Sequence, residues 1–170
     1  MYKKQKSLLL SLVILLFQIS LLTSCATAEK FDTSKVDRAL TPKSVVAEAD
    51  ISRGKIALWG GTILDTRNLN DKTQIEVLAY PLNSSHRPLL DKKPLGRFII
   101  HHNSYVEPTI YSQGRQLTVL GSVSDIKKGS VGESKYIYPV ISAEKLYLWS
   151  KDDDRSDTRF HFGIGIGIHR

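Results

Sequence analysis

The stretch KIALWGGTILDT, residues 55–66, decides the fold class of this 170-residue chain. Its apolar residues fall on both faces of an extended backbone, which indicates a strand that is buried on both sides. Gly60 and Gly61 lie in its middle, where the missing side chains permit a bulge or a sharp coil. The stretch therefore predicts a strongly bent first strand.

Four further segments with strand patterns follow this one, and turn residues separate them. They are TQIEVLAYPL, GRFIIHH, RQLTVLGSVSDIKKG and YIYPVISAEKLYLW. The polar turn RNLND predicts a hairpin between the first two strands, and Pro139 favours an edge or a bulge in the last. Five strands, a longer irregular link between the third and fourth, and no strong helical period predict a mainly β domain. A small five-stranded OB-like β-barrel fits this pattern, with a β-sandwich as the alternative.

The residues before the first strand divide into three parts. Residues 1–24 have the layout of a secretory signal peptide: a short cationic segment, an apolar run and small polar residues. Residues 25–43 are polar and unpatterned, which is typical of a flexible tether. The stretch SVVAEADISRG predicts a short helix with Ser44 as N-cap and Gly54 as its stop, and it begins the predicted domain at residues 44–149.

The single cysteine, Cys25, stands where the apolar run ends. Leu22, Thr23 and Ser24 precede it and form, with Cys25, a sequence similar to the lipobox of bacterial lipoproteins. In such proteins the cysteine becomes the first mature residue, its sulfur carries a diacylglyceryl group and its amine a further acyl chain such as palmitate. The overlapping A-x-A sequence at residues 26–28 is the alternative cleavage site, which would release a soluble protein.

Composition and motifs give little sign of catalysis. The formal charge of +7 falls to +4 without the leader lysines Lys3, Lys4 and Lys6, which argues against a nucleic-acid partner. A phosphate loop and a G-x-S-x-G nucleophile elbow are absent from the sequence. His101 and His102 are adjacent, so on a strand they point to opposite faces and cannot share a metal ion. We therefore predict no metal, no cofactor beyond the covalent lipid and no enzymatic activity.

Aromatic side chains offer a second interpretation of the domain. Trp59, Tyr80 and Tyr138 are candidates for a ligand face, although core or rim packing is the better explanation for most of the aromatic residues. After the last strand, residues 150–170 comprise a charged linker and the Gly/Ile-rich sequence FHFGIGIGIHR. Its alternating isoleucines suit an added strand, a membrane or partner contact, or a frayed tail.

Residues 44–149 and the lipobox resemble the Slp family of outer-membrane lipoproteins. The resemblance is carried by the stretches GKIALWGGTI, TQIEVLAYPLNSSHRPLLDKKPLGRFII, GRQLTVLGSV and YIYPVISAEKLYLW. It implies a protein that is anchored in the outer membrane through Cys25, faces the periplasm and meets the lipoprotein processing and sorting machinery. Ala26, in place of the aspartate linked to inner-membrane retention, agrees with that destination. The resemblance supplies no catalytic residues and leaves the envelope partner unidentified.

Three functional hypotheses follow from these observations. The first is a non-enzymatic outer-membrane lipoprotein with an envelope-associated role. The second is a periplasmic ligand-binding module that uses an aromatic face of the barrel. The third is an envelope hydrolase, which depends only on the availability of serine and histidine.

Overall fold

The computed structural model describes residues 30–150 of the chain. The predicted signal peptide, the lipobox with Cys25 and the Gly/Ile-rich tail lie outside these residues. The chain divides into two units, residues 1–32 and 33–170. The elements described below all belong to the second unit.

Five strands form one sheet that closes on itself, and two short helices precede them. The helices are α1 (Pro42–Ala47) and α2 (Ala49–Ser52), and the strands are β1 (Ile56–Asn68), β2 (Thr73–Tyr80), β3 (Gly96–His102), β4 (Gln116–Val131) and β5 (Ser134–Leu148). The closed barrel has the strand order β1-β2-β3-β5-β4. The prediction of a mainly β, five-stranded domain is confirmed, and the strands do not form the two separate sheets of a β-sandwich.

Strand β1 changes neighbours at the glycine pair, as a strongly bent strand does, and its register shift lies a little further on, between Ile63 and Asp65. The first half of β1 pairs with β4 and the second half with β2, and Gly60–Thr62 pairs with both. A Cβ atom on Gly61 would lie 1.9 Å from the carbonyl oxygen of Leu78. The two neighbouring strands approach closely at this point because the side chain is missing.

Alternating residues of the strands fill the interior of the barrel. Every second residue of β2 is buried from Thr73 to Ala79. Trp59 and Phe98 meet edge to face with their ring centroids 5.2 Å apart. The main hydrophobic cluster also contains Ile63, Ile75, Val77, Ile100, Leu117, Val119, Val123 and Ile141. These side chains make the centre of the barrel a packed core.

The β4–β5 hairpin extends past the barrel and supports a second, smaller cluster. Ile99, Tyr138 and Val140 are buried together there. Pro139 lies opposite Ile126, next to a register shift in β4 between Val123 and Asp125. The proline thus lies beside a bulge, as predicted, and immediately before β5 begins its parallel pairing with β3.

The helical segment before β1 begins earlier than predicted. Helix α1 begins at Pro42 with Thr41 as N-cap, and Ser44 is the third helical residue, whose hydroxyl accepts from the Thr41 amide at 2.8 Å. The sequence pattern placed the cap at Ser44 because Thr-Pro was assigned to the tether, although Pro is favoured at the first helical position. Gly54 follows α2 with φ +80, in agreement with its predicted role as the stop.

The described residues 33–43, which the sequence assigned to the flexible tether, are structured. Val36 forms a parallel bridge with Ile56, and Leu40 is buried in the core cluster. Removing the apolar side chains at positions 36 and 40 from water is favourable. This offsets the entropy lost when the segment is ordered. The segment therefore becomes part of the domain.

Candidate functional site

A cavity of about 550 Å³ opens between this N-terminal segment, one edge of β1 and the loop after β2. Its volume falls within the range of small-ligand pockets, roughly 300–1,000 Å³. The lining is mostly apolar and includes Val36, Leu40, Pro42, Leu58, Trp59, Ala79, Tyr80, Pro81, Leu82 and Leu95. Its polar residues are Thr33, Asp37, Arg38, Thr41, Asn83, Ser84 and His86.

Backbone and side-chain hydrogen bonds position the N-terminal wall of the cavity. The amide of Asp37 donates to the carbonyl oxygen of Ile56 at 2.9 Å. Trp59 donates its indole Nε1–H to the carbonyl oxygen of Leu40, also at 2.9 Å. Because this indole is buried, its hydrogen bond ties the segment directly to the core of the barrel.

The opposite wall is a loop that Asn83 organises. The Asn83 Oδ1 atom accepts hydrogen bonds from the amides of Ser85 and Arg87, each at 2.9 Å. This side-chain turn stabilises the loop locally, and His86 adopts a positive φ of 63° within it. The Leu89 amide donates to the Pro81 carbonyl oxygen at 2.8 Å and closes the base of the loop.

The ends of β4 and β5 hold this loop in place from outside. Thr118 donates its hydroxyl to the carbonyl oxygen of His86 at 2.7 Å, and it accepts from the Trp149 indole at 3.0 Å. The Arg87 guanidinium lies 5.5 Å from the centroid of the Trp149 ring and donates to Gln116 at 3.2 Å. A cation over an aromatic face adds attraction to these hydrogen bonds. Hydrogen bonds to the barrel therefore hold both walls of the cavity.

The cavity lining includes one acidic residue, Asp37, and one strongly basic residue, Arg38. Asp37 pairs with Lys55 at 3.4 Å and also accepts a hydrogen bond from the Ala39 amide at 3.0 Å. Arg38 is exposed to solvent at the cavity wall. The Asp37 carboxylate thus has partners in the structure, and Arg38 adds an exposed cation to the cavity wall.

The structure brings together two of the three residues of the predicted ligand face. Trp59 and Tyr80 line the cavity, Trp59 as a buried wall residue and Tyr80 as a partly buried one. Tyr138 instead packs in the second cluster on the outer side of β3. The assignment of Trp59 and Tyr80 to a ligand site stays a prediction, and Tyr138 lies away from the cavity.

A polar cluster surrounds Tyr138 and fixes the hairpin to the barrel. Arg97 and Glu76 form an ion pair at 2.8 Å, and the hydrogen bond from this pair raises the pKa of Arg97. The Tyr138 hydroxyl lies 3.0 Å from the Ser130 carbonyl oxygen and 3.4 Å from Glu76 Oε1. Burial, followed by the charge of Glu76, raises the pKa of Tyr138. The phenol is thus neutral and acts as a structural hydrogen-bond donor.

Sequence reasoning missed most residues of the cavity. Val36 and Leu40 stand four residues apart in TSKVDRALTP, and this spacing of apolar residues was the available signal. Leu82 and Leu95 lie in a stretch with prolines that the pattern assigned to a loop without further structure. Their convergence depends on the closure of the barrel, which brings distant segments together.

Within residues 30–150, no group of three or more His, Cys, Asp or Glu side chains is arranged to hold a metal ion. His101 pairs with Gln74 and His102 with Thr73 in the β2–β3 ladder.

In the same part of the chain, none of the helices has the length and apolar character needed to span a bilayer.

The chain is similar to known proteins over most of its length. The family model described as outer membrane lipoprotein Slp family matches residues 22–164, which includes the lipobox and extends past the region of resemblance at residues 44–149. An uncharacterized protein of Haemophilus influenzae is 38% identical over 97 residues, which cover 56% of this chain and 52% of that protein.

Two Escherichia coli proteins also match. The uncharacterized lipoprotein YeaY is 27% identical over 105 residues, covering 62% of this chain and 54% of YeaY. The outer membrane protein Slp is 22% identical over 96 residues, covering 56% of this chain and 50% of Slp. The aligned region thus spans about half the length of each curated relative. No solved structure matches the chain.

Proposed function

Because the chain belongs to the outer membrane lipoprotein Slp family, we propose that it is a non-enzymatic lipoprotein anchored in the outer membrane through Cys25. The barrel would face the periplasm, and the acyl chains on Cys25 would be its contact with membrane lipid. The observation that carries the proposal is the family match, which begins at residue 22 and so includes Leu22–Cys25. The names of the two Escherichia coli relatives, a lipoprotein and an outer membrane protein, support it.

Physical chemistry explains why a lipidated cysteine suffices as an anchor. Each buried CH₂ group contributes roughly 0.8 kcal/mol, and one acyl chain alone gives marginal, reversible binding. A diacylglyceryl group together with an N-acyl chain makes attachment stable. Processing would require the lipoprotein modification and sorting machinery as transient partners, and Ala26 would direct the protein to the outer membrane.

Mass spectrometry of the mature N-terminus tests the anchor when the chain is expressed in a Gram-negative host. The expected product begins at Cys25 and carries three acyl chains. Cys25→Ser should abolish acylation and release the protein from the outer-membrane fraction, whereas Ala28→Leu, which removes the alternative A-x-A site, should leave both unchanged. A mature chain that begins at Glu29 would refute the lipoprotein anchor.

A change at Ala26, next to the acylated cysteine, tests the proposed sorting to the outer membrane. Ala26→Asp keeps the lipobox and the acylated cysteine but introduces the residue linked to inner-membrane retention. Separation of inner and outer membranes on a density gradient should show the Asp variant in the inner-membrane fraction and the parent chain in the outer. If the parent chain is found in the inner-membrane fraction together with the Asp variant, the proposed location is wrong.

We also propose that the barrel is of OB type. Support comes from the strand order β1-β2-β3-β5-β4, from the bent β1 that is shared by two neighbours, and from the parallel pairing of β3 with β5. An experimental structure tests this: strand pairing that differs from this order would contradict the proposal. A matching order would support it.

The cavity favours a second candidate function, a periplasmic ligand-binding module. It combines apolar walls, an exposed cation and prearranged loops, which are the features of small-ligand sites. An apolar fluorescent probe such as anilinonaphthalene sulfonate should bind there and shift the NMR signals of Leu40 and Leu95. Leu95→Glu should weaken this binding. Leu90 is an exposed loop leucine outside the lining, so Leu90→Glu serves as the matched control.

A further inference from the structure

The backbone N–H and C=O of Leu58 point away from β4. Beside the β1–β4 ladder, the Val123 amide donates to the carbonyl oxygen of Lys55 at 2.9 Å. At the other end, the Ile63 amide donates to the carbonyl oxygen of Arg115 at 2.8 Å. Hydrogen-bonded pairs in an antiparallel ladder recur at every second residue, so the odd-numbered residues of β1 bond to β4. The amide and carbonyl of Leu58 therefore point to the opposite edge of the strand.

That opposite edge has a gap in its pairing. The ladder with β2 begins at Gly60, which lies opposite Tyr80, and the Val36 bridge lies at Ile56. Among residues 33–150, no strand pairs with Leu58 on this edge. The gap extends over about 13 Å at roughly 3.3 Å per residue.

The gap coincides with the cavity. Leu58 lines it together with Val36 on one side and Leu82 on the other. Because the Leu58 N–H and C=O point to this edge, they face the side of β1 on which the largely apolar cavity lies. Leaving such groups without partners is unfavourable when a ligand excludes water, so a matching ligand supplies both a donor and an acceptor.

We infer that the cavity binds a short extended peptide segment, one residue of which pairs with Leu58 as an added strand. This inference rests on the second proposed function, that the cavity takes a ligand. Strand addition gives affinity through main-chain hydrogen bonds, while pockets for alternate side chains give specificity. Apolar side chains of the peptide would contact Leu82 and Leu95, and a peptide carboxylate would reach Arg38.

Other ligand classes fit the same geometry less well. An acyl chain would match the apolar walls but has no donor or acceptor for Leu58. A cationic ligand would meet the exposed Arg38, while the Asp37 carboxylate is already paired with Lys55. An extended peptide with apolar residues and a carboxylate satisfies the backbone edge, the walls and the charge together.

NMR of the full chain, labelled with ¹⁵N, tests this inference directly. The probe is a mixture of pentapeptides built from Ala, Leu, Val, Ser and Glu with free carboxyl ends. The expected result is a saturable shift of the Leu58 amide signal. A second mixture with the same side chains, but with a methyl group on each peptide nitrogen, should bind about tenfold more weakly, because it lacks the donor for the Leu58 carbonyl.

A variant and a control separate the possible outcomes. Arg38→Gln, at an exposed position, should weaken binding of the peptide mixture several-fold, while Lys43→Gln, outside the cavity lining, should not. Equal binding of the two mixtures would overturn strand pairing at Leu58. If the apolar dye binds and the peptides do not, the inference fails but the ligand-binding function stands; if neither binds, both fail.

Discussion

Gly61 lies where β1 passes from its pairing with β4 to its pairing with β2, and this position tests the bend at the residue scale. In Gly61→Ala the new methyl group would meet backbone at 1.9 Å, which side-chain motion cannot relieve. We expect the free energy of unfolding to fall by more than about 3 kcal/mol. Urea denaturation measures this loss, with an unchanged slope as the check that the unfolding remains two-state.

Gly129→Ala is the matched control for this change. It is also a strand glycine, but its added methyl group would meet only the ring of Tyr138, at 3.0 Å. At this distance the ring, a side chain and not backbone, needs to move by only a few tenths of an ångström, so we expect a smaller loss, of about 1 kcal/mol. Equal losses in the two variants would show that the close approach of strands at Gly61 is not what requires glycine.

His101 gives a prediction about pH at the same scale. Burial lowers the pKa of this imidazole from 6.5, and the cations of Lys72 and Lys127 lower it further, while Asp71 and Asp125 oppose the shift. The unfolded chain therefore binds a proton that the folded chain excludes, so stability declines as the pH falls below about 6.5. An NMR titration should place the midpoint of His101 below 6.5.

A charge-removing variant checks the cause of this shift. Lys127→Gln removes one neighbouring cation and should raise the pKa of His101 towards its ordinary value. Lys128→Gln, the adjacent lysine that is not among the charges acting on His101, should leave it unchanged. A His101 midpoint at or above 6.5 in the parent chain would contradict the assigned environment.

At the scale of elements, the Trp59 indole ties the segment of residues 33–47 to the barrel. Trp59→Phe keeps a ring in the core but removes the donor to the Leu40 carbonyl. The buried acceptor then loses its partner, which costs about 1–3 kcal/mol. We expect faster amide hydrogen exchange in residues 33–47, by about tenfold, with smaller changes elsewhere.

Trp149→Phe provides the comparison, because it removes an equivalent indole donor, to Thr118, in a different part of the barrel. It should loosen the loop around His86, whose carbonyl Thr118 binds, and leave exchange in residues 33–47 unchanged. If both tryptophan variants accelerate exchange in the same residues to the same extent, the indole bond of Trp59 is not what holds the N-terminal segment.

The elements themselves show what local patterns can and cannot predict. Period-two alternation located the strands, and the Gly60 and Gly61 pair located the point where β1 changes neighbours, because these signals arise within one strand. Val36 and Leu40 were assigned to a tether since their burial depends on Ile56 and Trp59, which belong to another element. The cavity is harder still, because its walls come from segments that meet only after the sheet closes.

At the scale of the whole molecule, closure of the barrel depends on its shortest junction. β3 and β5 pair at three positions, Ile99 with Val140, Ile100 with Ile141, and His101 with Ser142. The neighbouring ladders are longer, and β4 pairs with β5 from Leu117 to Val131. Parallel pairing is also slightly less stable per residue than antiparallel pairing. The β3–β5 junction should therefore be the first part of the sheet to open.

Native-state hydrogen exchange tests this order of opening. At low denaturant, the amides that bond across the β3–β5 junction should exchange through a partial opening that costs less free energy than global unfolding. Amides of the β1–β4 ladder, including that of Trp59, should exchange only through global unfolding. If the amides of both groups exchange with the same free energy at every denaturant concentration, the barrel opens as one cooperative unit and the junction is not its weak point. The expected difference would instead mean that the sheet opens beside Ile99 and Val140 while the β1 edge at Leu58, and with it the cavity, stays intact.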